Sequence, residues 1–315
     1  MAKATIYCPD IECDSCVTFL HNTLKDLKGL KKYKVNKDTI EVDYSPGNIK
    51  PEAIAKFITE QGYRAGLSPF PRKTYKERWH DFRENKKKYE VEYTMLKYSI
   101  YVFIILIAVE MIAYFAFLRN DALFIQKYGI WIFYLDIAVV SIGAAMWHVL
   151  SYRGQVYMMS GMMLGMGFGM QTGLMIGTII GATNGMFAGT MTGIIVAVFA
   201  GWYNGKNSGI MGVLEGAMAG IMNGAMGAMT AVMLYADNLM WYMPLFMVLN
   251  IIIMWGMSYM MFEEVVENNP TIKKEPISFT KFLLYSLLAV AVIVTIMIYG
   301  PKSGLSGIYS TYGTV

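Results

Sequence analysis

After Cys16 the chain contains no cysteine: Cys8, Cys13 and Cys16 lie within nine residues, and the 299 positions that follow have none. Three thiols so close together cannot form a disulfide framework. The grouping suits a reducing compartment and metal chemistry instead. Charge is scarce too. Asp, Glu, Lys and Arg make up 16% of the 315 residues, against roughly 25% in an ordinary globular chain. Of these 50 charges, 33 fall in residues 1–97, and the following 218 residues share 17. That excludes a single soluble domain and describes a charged head followed by a polytopic membrane body. The net charge of +4 is too small and too local for a nucleic-acid partner. Residues 1–28 hold no apolar core of the length a cleavable signal needs, so none is expected.

What the second part has is apolar length. Runs of the roughly 20 residues needed to cross a bilayer fall at 96–118, 130–150, 210–236, 239–262 and 279–298. A 48-residue run, 156–203, lies among them; at 1.5 Å per residue it would extend about 72 Å and must fold back. The Ala-Thr-Asn-Gly run at 182–185 is the place for the turn. The count is about seven transmembrane helices, with six as the alternative. Basic residues cluster before the first run, nine of them in 72–97, and again at Arg153, Lys206, Lys273, Lys274 and Lys281. By the positive-inside bias this predicts a multi-pass plasma-membrane protein, N-terminus cytoplasmic and C-terminus outside.

Two residue types dominate the body. Glycines recur at every fourth position from Gly161 to Gly193, and again at Gly212, Gly216, Gly220 and Gly224. This spacing leaves a groove without side chains along one ridge and lets helix backbones approach closely. Such packing can be satisfied within one chain or between copies, and a homo-oligomer is expected. Fifteen of the 27 methionines lie between Met158 and Met233. Met158, Met162, Met166 and Met170 step by four in the third run, and Met218, Met222 and Met226 do so in the fifth. Thioethers select soft ions such as Cu(I) or Ag(I), but methionine is equally at home packed between helices or against lipid. In the fifth run the Met row lies about 160–200° from the glycines, in the third only about 60–100°. Ionisable residues within spans are costly and point to function. Glu110 and Asp136 share a depth of about 20 Å from the inner face, and Glu215 is about 8 Å in, near the level of His148, Met158 and Met211. Glu215 follows Met211 by four and is the first candidate for a proton-binding or ion-admitting role.

The head reads as strand, helix, strand, strand, helix, strand: 3–8, 17–27, 31–35, 39–44, 51–61 and a final strand ending near 66. That order makes a ferredoxin-like βαββαβ fold. Cys13-Asp14-Ser15-Cys16 sits between the first strand and first helix, and Gly62-Tyr63 follows the second helix. Cys16, at a helix N-terminus, has the setting that favours a thiolate.

With these residues the head resembles the heavy-metal-associated domain, the family of soluble copper chaperones and of the N-terminal modules of metal-pumping ATPases. The match covers about a fifth of the chain. It implies that Cys13 and Cys16 hold a soft metal, Cu(I) first, with Tyr63 nearby, and that a cytosolic copper chaperone is a possible partner. The family's Gly-Met lead-in is replaced here by Asp10-Ile11-Glu12, and a carboxylate at that place keeps Zn(II) and Cd(II) open. Cys8 is outside the motif and is read as a core residue, with a third ligand as the alternative. The pump that often follows such a head is absent: there is no Asp-Lys-Thr-Gly-Thr phosphorylation motif, no Walker A, and no inner loop longer than sixteen residues. Met-x-x-x-Met beside Gly-x-x-x-Gly is similar to the copper-transporter family in motif only, and the body resembles Gly/Met-zipper membrane proteins of unassigned function.

The expected organisation is a heavy-metal-associated domain at 1–68, a basic linker or juxtamembrane helix at 69–95, a transmembrane domain at 96–299 and a tail at 300–315. The expected function is a transporter or channel for Cu(I), with Ag(I), Zn(II) or Cd(II) as other ions. A non-transporting sensor or metal-delivery platform is the alternative. No nucleophile–base pair is visible, so an enzyme is not expected.

Overall fold

The computed structural model describes residues 2–8, 11, 14–25, 27, 30–36, 38–44, 49–60, 63, 65–69, 79–80, 82–83, 89–118, 123–152, 158–263 and 278–303. The chain divides into two compact units, Met1–Glu84 and Asn85–Val315. Most of the expected basic linker, and the tail beyond 303, lie outside the described residues.

In the first unit the elements are β1 (Ala2–Tyr7), α1 (Asp14–Lys25), β2 (Leu30–Asn36), β3 (Thr39–Tyr44) and α2 (Pro51–Glu60). β3 pairs antiparallel with both neighbours, giving the order β1-β3-β2. The period-two pattern puts Ile6, Ile40 and Val42 on one face. Leu20 and Leu24 of α1 and Ile54, Ala55 and Ile58 of α2 cover that face in one core. The β2–β3 turn places Asp38 at φ 62°, a left-handed position that Asp tolerates better than most residues. Among the described residues the last expected strand is represented by one antiparallel bridge, Tyr7 with Gly66, closed by N–H···O bonds of 2.8 and 3.0 Å. Pro69 follows closely and cannot donate to a ladder.

The second unit contains α3 (Glu90–Ala113), α4 (Ile130–Ser151), α5 (Met158–Asn184), α6 (Met186–Gly205), α7 (Gly209–Leu234), α8 (Leu239–Met261) and α9 (Phe279–Tyr299). Wide π-helical turns at Tyr114–Leu118 and Ile125–Gly129 flank the α3–α4 connection. Six stretches among the described residues are long and apolar enough to cross a membrane, as in a multi-pass membrane protein. One of them, Met186–Leu234, has 49 residues and comprises both α6 and α7, joined by a tight turn at Lys206–Ser208 and by Gly209 at φ 76°. The break between α5 and α6 falls at Gly185, φ 95°, at the end of the run that predicts a turn.

Contacts set the helix directions. Glu92 meets His148 and Glu110 meets Asp136, so α3 and α4 run antiparallel. Gly189 lies against Gly181, Gly193 against Gly177, Gly201 against Gly216 and Gly205 against Gly212, which makes α6 antiparallel to both α5 and α7. Tyr98 packs on Phe279 and Trp147 on Tyr285, so α9 starts at the end where α3 starts and α4 finishes.

The glycine ridges explain the body's tightest packing. A Cβ built on Gly177 would stand 2.6 Å from the Gly224 carbonyl oxygen, and one on Gly220 would stand 2.6 Å from the Val198 nitrogen. Backbones of α5, α6 and α7 are therefore in direct contact, the approach that small residues at spacing four permit. Thr178 ties α5 to α7 by donating to the Gly227 carbonyl at 3.1 Å. Asn184 ties α5 to α9 through Nδ2 and the Ile296 carbonyl, 3.1 Å, and the Ser303 amide returns a bond to the Asn184 carbonyl at 2.9 Å.

Candidate metal and ion sites

Three groups of residues carry chemistry, and the structure treats them differently. In the head, Cys13 lies outside the described residues, as do Asp10 and Glu12. Cys16 is the third residue of α1, in its first turn. Tyr63 packs against the head's core, and its ring stacks on Phe19, one turn beyond Cys16, at 5.9 Å. Cys8 is fully buried among Ile6, Ile11, Leu20 and their neighbours, and its amide donates to the Asp38 carbonyl at 2.8 Å. Its place is the interior of the head.

In the body the predicted thioethers separate by helix. On α7, Met218, Met222 and Met226 all point away from the chain; Met222 is 63% exposed. The glycines opposite them are in contact with α6, so the angle between the two rows turns the methionines outward. Within a single chain these three line no interior path. On α5, Met162, Met166 and Met170 are half-buried, while Met159 and Met163 are exposed. For Met158 the structure describes the helix position alone. Glu215 is half-buried on α7, on the outward side near exposed Met211. His148, at the same expected depth, pairs with Glu92 of α3 instead.

A second thioether row is buried. Met243, Met247, Met254, Met257 and Met261 run the length of α8, the first and last of them with no exposure at all. α8 packs against α4 and α5, and the Met257 sulfur fills the space beside Gly167 of α5. Asn250 sits in the middle of this row, buried; its Nδ2 donates to the Phe246 carbonyl at 2.7 Å, and its Oδ1 has no partner among the described residues. A search for spacing of four in the glycine-rich runs misses this row, because its steps are four, seven, three and four. That is the 3.5-residue seam of a helix buried along one stripe. The signal was present, but α8 is apolar all round and its polar pattern does not mark the inner face.

Ionisable side chains occur at two levels. At one end of the body, the Glu92 carboxylate faces His148 Nε2 at 3.1 Å and accepts from the Tyr152 hydroxyl. Burial, with the Glu92 charge beside it, pushes the Tyr152 hydroxyl well above the usual phenol range, which keeps it a donor. Farther along the same two helices, the carboxyls of Glu110 and Asp136 lie within hydrogen-bonding reach of each other. Among the described residues no three His, Cys, Asp or Glu side chains converge as a metal-binding group. No family model, curated protein or solved structure matches the chain.

Proposed function

We propose that this chain is a seven-crossing plasma-membrane conductor for a soft metal ion, Cu(I) first and Ag(I) next, with a cytosolic metal-binding head. The observation that carries the reading is the buried thioether row on α8. Five neutral sulfurs in file along one helix, facing α4 and α5, offer a soft ion successive weak ligands. Weak ligation is what transfer requires, since an ion must leave each site as readily as it enters. The two-helix build of Met186–Leu234 and the alternating helix directions support seven crossings. The distribution of basic residues supports a cytoplasmic N-terminus and an outer C-terminus.

The head's order β1-β3-β2, with Gly66 bridged to the free edge of β1, supports a ferredoxin-like fold of heavy-metal-associated type. In that reading Cys13 and Cys16 accept the ion from a cytosolic copper chaperone by ligand exchange, and Glu12 leaves Zn(II) and Cd(II) as alternative ions. The outward Met218, Met222 and Met226 face lipid or a second copy of the chain; in a homo-oligomer they form a thioether seam between copies.

One observation favours a second reading. The backbones of α5, α6 and α7 touch, and a core so closely packed suits a rigid platform that senses a metal or delivers it to a partner without moving it across the bilayer.

The test is flux of Cu(I) and Ag(I), with Zn(II) as contrast, into proteoliposomes holding the full chain. Variants are Met254→Leu/Met257→Leu, Met222→Leu/Met226→Leu and Cys13→Ser/Cys16→Ser. The expected result is Cu(I) flux that falls at least tenfold in the Met254/Met257 variant and less in the cysteine variant. Loss in the Met222/Met226 variant moves the path to the seam between copies. Absence of flux from a wild type that binds metal refutes the conductor and favours the platform.

A further inference from the structure

We infer that Glu110 and Asp136 form a proton-binding site inside the membrane body, in which the two carboxyls hold one shared proton at neutral pH. The inference does not depend on metal conduction.

The placement is the first argument. Glu110 is thirteen residues beyond Lys97 in α3, and Asp136 fifteen residues before Ser151 in α4. At 1.5 Å per residue both lie about 20 Å beyond the level of Lys97 and Ser151, within the apolar membrane-spanning stretches. An ionisable residue at that depth is expensive and has a functional reason more often than not.

The surroundings are the second. Asp136 is 0% exposed, and neither of its oxygens meets a donor group among the described residues; Glu110 Oε1 is likewise buried without one. What each carboxyl meets is the other. The helices packed on α4 bring little else. α5 has no ionisable side chain; α8 has Tyr242 and Tyr259; α9 has Lys281, Tyr285 and Tyr299.

Chemistry then limits the occupant. Two carboxylates in contact in an apolar setting repel strongly when both are ionised, and one proton held between them removes that repulsion and joins one oxygen of each. A hard cation such as Ca²⁺ would need six or more oxygens, and Mg²⁺ an octahedral set; the pair and its described neighbours supply far fewer. Binding is H⁺ joining the doubly charged pair, and release returns it to the doubly charged state, so each cycle moves one proton and one charge. Glu110 is half-buried, whereas Asp136 is fully buried.

The experiment is infrared spectroscopy of the full chain in lipid at neutral pH, wild type minus Glu110→Gln/Asp136→Asn. The expected difference is a protonated-carboxyl C=O band with the intensity of one acid, lost completely in the variant. No band, or the intensity of two acids, overturns the shared proton. Loss of the wild-type band when Na⁺ replaces choline overturns it too and makes the pair a cation site. Should the double variant fail to fold, the wild type alone still decides. A membrane-permeant carbodiimide must modify Glu110 or Asp136 at neutral pH, read by mass spectrometry, and modification of neither refutes the site.

Discussion

Gly173 of α5 and Gly224 of α7 approach so closely that a Cβ built on Gly173 would lie 2.6 Å from the Gly224 amide nitrogen. At that distance a methyl group has no flexible neighbour to displace. Gly173→Ala is therefore expected to force the two helices apart and cost about 1–3 kcal/mol. Gly256→Ala, where a Cβ would meet nothing within 4 Å, is the control and should leave stability unchanged or raise it slightly. Thermal unfolding in one detergent compares them; equal loss in both would remove the glycine contact as an explanation.

Asn184 closes the far end of the body by donating from Nδ2 to the Ile296 carbonyl. Asn184→Ala removes that bond between α5 and α9 and is expected to cost about 0.6 kcal/mol, and no more than about 1.7, as polar contacts between membrane helices do. Hydrogen exchange of the last turn of α9 should rise in the variant. Unchanged protection there would show that the side-chain bond holds nothing.

Tyr152 donates to the Glu92 carboxylate, which also faces His148. Tyr152→Phe keeps the ring and removes one donor from a buried carboxylate, at an expected cost of about 1–3 kcal/mol. Glu92→Gln combined with Tyr152→Phe should be less than additive, because the two changes share one contact. A double-mutant cycle on denaturation midpoints measures the coupling, and strict additivity would dissolve the pair.

Cys8 and the two motif cysteines should separate cleanly. Cys13→Ser/Cys16→Ser is expected to abolish Cu(I) binding by the head, read as the fall in bound metal per full-length chain. Cys8→Ser puts a hydroxyl into the core that Cys8 shares with Ile6 and Leu20, at an expected cost of about 1–3 kcal/mol. It should leave metal binding at the head intact. Loss of metal in Cys8→Ser without loss of stability would make Cys8 a ligand instead.

The break at Gly185, the strands at 39–44 and the close packing of α5, α6 and α7 were legible along the chain, because each is a local or strictly periodic signal. A turn needs particular residues in a row, a strand alternates, and glycine at every fourth position can mean little but close approach. Seven helices follow from apolar length once the 48-residue run is folded back near Gly185. Beginning α3 at Glu90 instead of 96 takes Glu92 into the helix, and length alone does not show that.

Tertiary structure decided what no period contains: which stripe of an apolar helix faces inward. Met222 lies opposite a glycine ridge and faces outward, but α8 has a single glycine and no such ridge to show that Met254 faces inward. In water the polar face of a helix declares the buried one; in a body that is apolar all round, only the neighbouring helices do. The same holds for charge. Glu110 and Asp136 share a depth by counting, but their meeting depends on how α3 and α4 are rotated about their axes. Close packing between helices sets that rotation, and it cannot be read from either helix alone.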